Sequence, residues 1–376
     1  MVLSRMLSGE LEPSAGVREV LDVCLKCHQC ADICPRGIDT VGIFLEGRSR
    51  LRGAKLNSRL TRLVFRLLLP RRWFYNLFMK IARWMQKILP KREGGLRHLP
   101  LIFEGKRNLP AIARKSALLQ LPEETGKGPR VAFFTGCLQN YVYPETARNA
   151  CKLIESAGCS VVVPKKQLCC GLAARYIGDK KTSERLAREN VRVFSECGVE
   201  YVVTACATCA TMLKKEYPAM PDSQWPAGLK VMELSEFLSF RGFKPKGSAG
   251  PVTYHDPCHM RYAQNVTEEP RKLLSAVAEV REPSEPGRCC GGGGTFSLFQ
   301  YELSRKIGKK RVELLDETQA ETVVTACPGC ILQISDLLEG GMKIKHLADF
   351  LVEAAGDKNH IRSEGFVATE RCPGAS

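Results

Sequence analysis

The chain has 376 residues and a mass of 41.7 kDa, enough for two or three domains with buried cores. Hydrophobic residues make up 44% and charged residues 26%, which excludes a disordered chain, collagen and a coiled coil. Two counts stand out: 18 cysteines, and 56 Lys+Arg against 40 Asp+Glu, a formal net charge of +16. No run reaches the roughly 18 consecutive apolar residues of a spanning helix. A chain of this length also has no need of the staples that hold small secreted modules together.

The first residues, Met-Val-Leu-Ser-Arg-Met-Leu-Ser-Gly-Glu, contain no apolar stretch of signal-peptide length and no small-residue cleavage site, so a cytoplasmic location is expected. In a reducing compartment, clustered cysteines point to thiolate ligation of metal rather than to disulfides. The first cluster is Cys24-Leu-Lys-Cys27-His-Gln-Cys30-Ala-Asp-Ile-Cys34-Pro35. This C-x2-C-x2-C-x3-C-P spacing is that of bacterial ferredoxins, and the expected cofactor is a 4Fe-4S cluster. Zinc sites show C-x2-C pairs set further apart. In two-cluster ferredoxins the fourth cysteine of each run serves the other cluster, yet only one run stands here. Either Cys34 closes a one-cluster site, or the chain begins too late to include a partner run.

Residues 48–107 carry 17 Lys+Arg and only two acids, Glu93 and Glu104, so their net of +15 is almost the whole excess. Apolar residues recur through this segment, and Trp73, Phe74, Leu77, Phe78 and Ile81 share one helical face. Pro70 separates two helical stretches and Pro90 ends the second. A basic amphipathic hairpin with two Trp is the pattern of an element lying on an anionic membrane surface or on a membrane-bound partner. The alternatives are packing on the protein's own core and nucleic acid. The dense apolar face argues against nucleic acid, because phosphate binding does not need it.

The rest of the chain contains one unit twice. Cys137, Cys169, Cys170, Cys206 and Cys209 recur as Cys258, Cys289, Cys290, Cys327 and Cys330, at offsets of 121, 120, 120, 121 and 121 residues. The flanks repeat as well, Val-Val-Thr-Ala-Cys-Ala-Thr-Cys against Val-Val-Thr-Ala-Cys-Pro-Gly-Cys. Strands at 131–134, 161–163 and 201–204 and helices at 144–156 and 183–197 give a β-α-β-α-β alternation. A parallel sheet with right-handed crossovers follows, with each cysteine group after the carboxyl end of a strand, where open α/β sheets bind ligands. The glycines at 171 and 291–294 let the backbone approach a bulky inorganic group. Five thiols per unit exceed the four of a zinc or cubane site, which suggests an iron–sulfur assembly of unusual shape or a cluster beside a redox thiol. His255 and His259 flank Cys258 in the second unit only. Either could bond a sulfide or relay a proton, although packing is the plainer role. Cys151 and Cys159 are expected in the core. Cys197 and Cys372 also lie outside every motif, the latter in a polar tail expected to be mobile.

Taken together, these motifs resemble the iron–sulfur subunit of glycolate oxidase, with the related lactate-utilisation and anaerobic glycerol-3-phosphate dehydrogenase iron–sulfur subunits. The doubled Cys-Cys-Gly unit resembles the cysteine-rich subunit of heterodisulfide reductase. The resemblance spans residues 1–352 and includes the lead-in Leu-Ser-Gly-Glu-Leu-Glu-Pro-Ser-Ala-Gly-Val and the Leu-Pro-Arg-Arg of the hairpin. It implies that the two sets of five cysteines hold one or two further iron–sulfur clusters of non-cubane type, and that members carry a second ferredoxin run earlier in the chain. No G-x-G-x-x-G after a strand and no P-loop is present, so no flavin is expected in this chain and no catalytic residue is announced.

The expected architecture is α/β: a ferredoxin-like segment (1–47), a basic amphipathic hairpin and linker (48–128), two Cys-Cys-Gly domains (129–248 and 249–355) and a tail (356–376). The expected function is electron transfer from an FAD-dependent 2-hydroxy-acid oxidase of glycolate or D-lactate type to a membrane quinone or another carrier. Such a subunit would lie peripherally on the cytoplasmic membrane. A disulfide reductase like heterodisulfide reductase is the alternative, and a colourless zinc scaffold a third reading. Because the two units form separate sheets, Cys290→Ser is expected to remove one cluster and spare the other.

Overall fold

The computed structural model describes residues 5–6, 8–12, 14–51, 56–86, 97–98, 108–220, 224–339 and 341–356. Two polar caps organise its N-terminal part. Ser14 Oγ accepts the N–H of Val17 (3.3 Å) at the start of Ala15–Asp22 (α1), and Asp39 Oδ1 accepts that of Gly42 (2.9 Å) at the start of Thr40–Arg50 (α2). Each satisfies an amide that has no partner within its helix. Between the two helices runs the 24–34 segment, irregular except for the single turn Gln29–Asp32. Arg48 ties this segment down. It is 2% exposed and donates to the carbonyls of Cys24 (3.0 Å) and Tyr176 (3.0 Å), while Asp22 balances it (3.4 Å) and Arg18 (2.9 Å).

Leu56–Leu68 (α3) and Arg72–Met85 (α4) form the hairpin, broken at Pro70 as the sequence predicts. Pro90 lies outside the described residues. The hairpin docks through its polar and aromatic side. Arg66 pairs with the buried Asp179 (3.0 Å), Asn76 Oδ1 accepts from Tyr141 Oη (2.6 Å), and Tyr75 packs edge-on against Tyr141. The apolar stripe points the other way: Leu63, Leu67, Trp73, Leu77, Phe78, Ile81, Trp84 and Met85 are all exposed, the two Trp at 63% and 64%. Packing on the protein's own core is therefore not what this stripe does. Among the described residues no helix is long and apolar enough to cross a membrane.

Arg97–His98 (β1) pairs antiparallel with Asn108–Leu109 (β2). Glu124–Thr125 (β3), Arg130–Phe133 (β4), Ser160–Val162 (β5), Tyr201–Thr204 (β6) and Lys230–Glu233 (β7) build a sheet of order β3-β5-β4-β6-β7, parallel except for β3. Val252–Tyr254 (β8), Thr322–Thr325 (β9) and Lys343–His346 (β10) build a second, parallel sheet of order β10-β9-β8. The central strands read Val-Ala-Phe and Thr-Val-Val-Thr because helices cover both faces. Pro144–Ser156 (α5), opened by Pro at its first position, and Lys180–Ser195 (α6) cover the first sheet. Cys258–Gln264 (α7), Tyr301–Asp316 (α8) and Leu347–Ala354 (α9) belong to the second. The helix expected at 183–197 starts earlier and ends at Ser195, since its polar first turn hides in the sequence.

The α/β architecture with parallel sheets is as expected. What the sequence does not reveal is that both sheets share one apolar core, in which Val131, Phe133, Ile154 and Val203 join Tyr254, Val323, Leu347 and Leu351. Polar pairs stitch the seam. Asp349 accepts from Thr146 Oγ1 (2.6 Å) and Asn149 Nδ2 (2.9 Å), and Ala207 N–H donates to Ala326 O (3.2 Å). Cys151 and Cys159 are buried core thiols, as expected, and Cys372 lies outside the described residues.

Candidate metal centre

All five cysteines of the first unit, and Cys258, Cys327 and Cys330 of the second, lie just beyond the carboxyl end of a parallel strand, whereas among the described residues no strand leads into Cys289 and Cys290, where the sequence predicts one. Cys137 is in the turn of helix after β4, Cys169 and Cys170 are in the loop after β5, and Cys206 and Cys209 open the helix Ala207–Thr211 after β6. Cys258 begins α7 after β8, and Cys289 and Cys290 precede α8. Cys327 and Cys330 open Pro328–Ser335 after β9. Gly171 (φ +86°) and Gly291 (φ +79°) turn the chain after each adjacent pair, in a backbone region that disfavours a side chain. Gly291 N–H donates to Cys289 Sγ (3.4 Å).

The ten thiols form one line. Cys137 contacts Cys169, which contacts Cys170; Cys170 contacts Cys209, and Cys209 contacts Cys206. Cys206 then touches Cys327 of the other half. The order repeats in reverse through Cys330, Cys290 (3.4 Å), Cys289 and Cys258 (4.0 Å). All ten are free and line a single cavity of about 320 Å³. The sheets are separate, but their sites are not, which departs from the independence expected of the two units.

Such crowding sets the acidity of the thiols. Contacts with neighbouring thiols, and then burial, push Cys137, Cys209, Cys258 and Cys330 up. Contacts that favour the thiolate pull Cys170 and Cys327 down, and Cys290 down to about 5. Ten sulfurs cannot all ionise here without added positive charge, which metal supplies. Arg311, wholly buried beside Cys289, Cys290 and Cys330, forms no ion pair with a carboxylate among the described residues. A buried cation that lacks an anion fits an anionic metal–sulfur group better than it fits protonated thiols. Ten free sulfurs in two sets of five fit iron–sulfur chemistry, and exceed what two tetrahedral zinc ions need.

Of the N-terminal cysteines, Cys27 lies against the second half. Cys24, Cys27 and Cys30 share one electrostatic neighbourhood, and Cys27 is also within reach of Cys258. Burial, then Cys258, pushes the Cys27 thiol up to about 11. Among the described residues no three of the four thiols in this run gather within 4.8 Å. Cys34 is half-buried, accepting from backbone N–H groups of Ile38, Arg36 and Gly37, which hold its thiol below the usual range. Lys26 (φ +59°) and His28 (φ +65°) adopt left-handed conformations that wind the run tightly.

His259 sits at a three-way junction. Its ring meets His28 edge-on (5.6 Å), Nε2 bonds Tyr176 Oη (2.7 Å), and Nδ1 bonds Thr208 Oγ1 (3.1 Å), itself 3.6 Å from Cys327 Sγ. His255 is buried elsewhere, with Nδ1 accepting from Arg311 Nε (2.9 Å). Sequence reasoning singled out both histidines but missed Arg48, Arg311, Tyr176 and Thr208. Arg311 reads as one more charge after Lys309 and Lys310, although it shares a helical face with Ser304, Gly308 and Leu315. That face was the available signal.

The family model described as a cysteine-rich domain, CCG, matches twice, at residues 131–214 and 252–335. The chain is 31% identical to a probable glycolate oxidase iron–sulfur subunit of Bacillus subtilis, over 95% of this chain and 87% of that protein. It is 30% identical to a fumarate reductase (CoM/CoB) subunit of Methanothermobacter marburgensis, covering 92% of this chain but only 63%, under two thirds, of that protein. Lactate utilization protein A of Oceanobacillus iheyensis is 33% identical, over 59% of this chain and 96% of its own length.

Proposed function

We propose, from the premise that the chain belongs to the glycolate oxidase iron–sulfur subunit family, that it is the electron-transfer subunit of a complex whose separate FAD-dependent flavoprotein oxidises a 2-hydroxy acid of glycolate or D-lactate type. The observation that carries this reading is the single line of ten free thiols, with the 24–34 run at its Cys258 end and the hairpin at its Cys137 end. Clusters bound there supply one-electron chemistry. Cys137, Cys169, Cys170, Cys206 and Cys209 would hold one, and Cys258, Cys289, Cys290, Cys327 and Cys330 a second, both non-cubane. Cys24, Cys27, Cys30 and Cys34 would hold a 4Fe-4S cluster. The domain limits drawn from the sequence, 1–47, 48–128, 129–248, 249–355 and 356–376, belong to the same reading.

The chain's own residues hold these sites close together. Arg48 clamps the 24–34 run to the first half, while the His28–His259–Thr208 junction fills the space between the run and Cys327. The exposed stripe on α3 and α4, in a segment of net charge +15, suits an anionic membrane surface carrying a quinone-linked acceptor. A disulfide reductase is the second reading. It is favoured by the cavity common to both halves and by the likeness to the fumarate reductase (CoM/CoB) subunit. The outward stripe favours the first.

Anaerobic titration of the purified chain with substoichiometric flavoprotein separates the two. Reduction of its visible absorbance by glycolate or D-lactate, only when the flavoprotein is present, is the expected result. Failure with both acids, combined with turnover of a small disulfide by the chain alone, would overturn the electron-transfer reading.

A further inference from the structure

The two halves are duplicates in sequence but not in charge. Behind the thiols of the second half, Arg311 of α8 donates from Nε to His255 Nδ1 (2.9 Å), from Nη1 to Glu285 O (2.7 Å) and from Nη2 to Tyr254 O (3.4 Å). Neither Arg311 nor His255 has exposed surface. The carboxylate that acts on Arg311, Asp256, is already engaged by Arg271 (2.8 and 2.9 Å) and Arg261 (3.2 Å). After Asp256, the charges that Arg311 feels most are those of Cys290, Cys330 and Cys289. An arginine only donates, so Nδ1 of His255 must accept, and the ring proton sits on Nε2. Nε2 is buried without a partner, and a ring nitrogen of His255 lies within 4.8 Å of both Cys290 and Cys330 Sγ.

The first half has different residues at these places. Counting back 121 residues from His255 and Arg311 gives Phe134 and Asn190, equally buried. Asn190 is neutral and spends its amide on Leu168 N–H, Cys169 O and Tyr217 Oη. Arg72, which lines a small cavity beside Cys137 and Cys169, comes from the hairpin rather than from the duplicated fold.

We infer that Arg311 and His255 are a positioning pair for the iron–sulfur group of the second half: the guanidinium is its countercharge, the Nε2–H donates to one of its sulfurs, and together they raise its reduction potential. Reduction adds negative charge to the group, so a fixed cation and an N–H···S bond favour the reduced state. One electron enters, taken from a one-electron donor such as the 24–34 centre, which is oxidised by one. No proton moves, since the ring keeps Nε2–H and the guanidinium its charge. The inference rests on the iron–sulfur reading above and makes the two halves unequal redox sites.

Redox titration of the anaerobically purified full chain, followed by paramagnetic resonance, reads this directly. The signal of the second half is the one that Cys289→Ser removes. Arg311→Met is expected to lower its reduction constant at least tenfold, 59 mV for one electron. Arg311→Lys, which keeps the charge, stays nearer the wild type. His255→Phe, which installs the residue of the first half, lowers the constant by a smaller factor, and the first half's potential holds in all three. If Arg311→Met loses its iron, His255→Phe decides. An unchanged second-half potential in His255→Phe, and in Arg311→Met where that variant retains iron, overturns the inference. A wild-type chain without any iron–sulfur signal would instead remove the iron–sulfur reading itself.

Discussion

Two constraints require glycine at residue 291. Its φ of +79° disfavours any side chain, and an added Cβ would lie 2.5 Å from Ser304 O. At Gly171, its counterpart, the same Cβ would meet Leu186 Cβ at an ordinary 3.4 Å. Gly291→Ala is therefore expected to cost about 1–3 kcal/mol, and more than Gly171→Ala, measured by thermal unfolding; equal losses would contradict the close approach. Glu233 is a second buried group with a readable consequence. It caps Leu234–Phe240 by accepting from Ser235 N–H (2.7 Å), and burial pushes its carboxyl up to about 7. The folded state then holds more protons than the unfolded one between the ordinary value of 4.5 and about 7. Stability is highest below that window and falls as pH rises through it, by up to about 1.4 kcal/mol per pH unit. Glu233→Gln should lose this slope, so its melting temperature relative to wild type is higher at pH 8 than at pH 5; a constant difference would contradict it. The ten thiols that line up in the structure were legible in the sequence, because spacing and duplication are properties of the sequence. Arg48, Arg311 and Glu233 were not, because a charge within a polar helix looks the same whether it is buried or exposed.

At the scale of elements, periodicity located the central strands and α5 within a residue or so, and Pro70 marked the hairpin break. The amphipathic stripe was equally plain, but its direction was not: the sequence shows that α3 and α4 have an apolar side, not which side meets the protein. That choice was made by Arg66, Asn76 and Tyr75, whose partners lie on the first half. With Ile81 and Trp84 half or more exposed, insertion of each into a bilayer interface contributes on the order of 1 kcal/mol. Ile81→Glu combined with Trp84→Glu should weaken binding to anionic vesicles by more than about tenfold and leave iron content unchanged. Equal flotation of variant and wild type would show that the stripe meets something other than lipid.

At the scale of the molecule, duplication predicted two alike sites and the fold joins them. A common core and the Cys206–Cys327 contact put the halves side by side, in mirror order along one row of sulfur. Sequence comparison cannot show this, since offset and flank similarity say nothing of how two copies dock. The join changes what single substitutions do. Cys327→Ser, at the seam, should disturb the resonance spectra of both halves, whereas Cys258→Ser, at the far end, should disturb its own half alone. Identical spectral changes from the two variants would contradict the mirror order. The account as a whole depends on iron bound by these sulfurs, and determination of iron, zinc and acid-labile sulfide on strictly anaerobic protein tests it most directly. Iron and sulfide in near-equal amounts, both falling in Cys290→Ser, are the predicted result. Stoichiometric zinc with neither iron nor sulfide would contradict it.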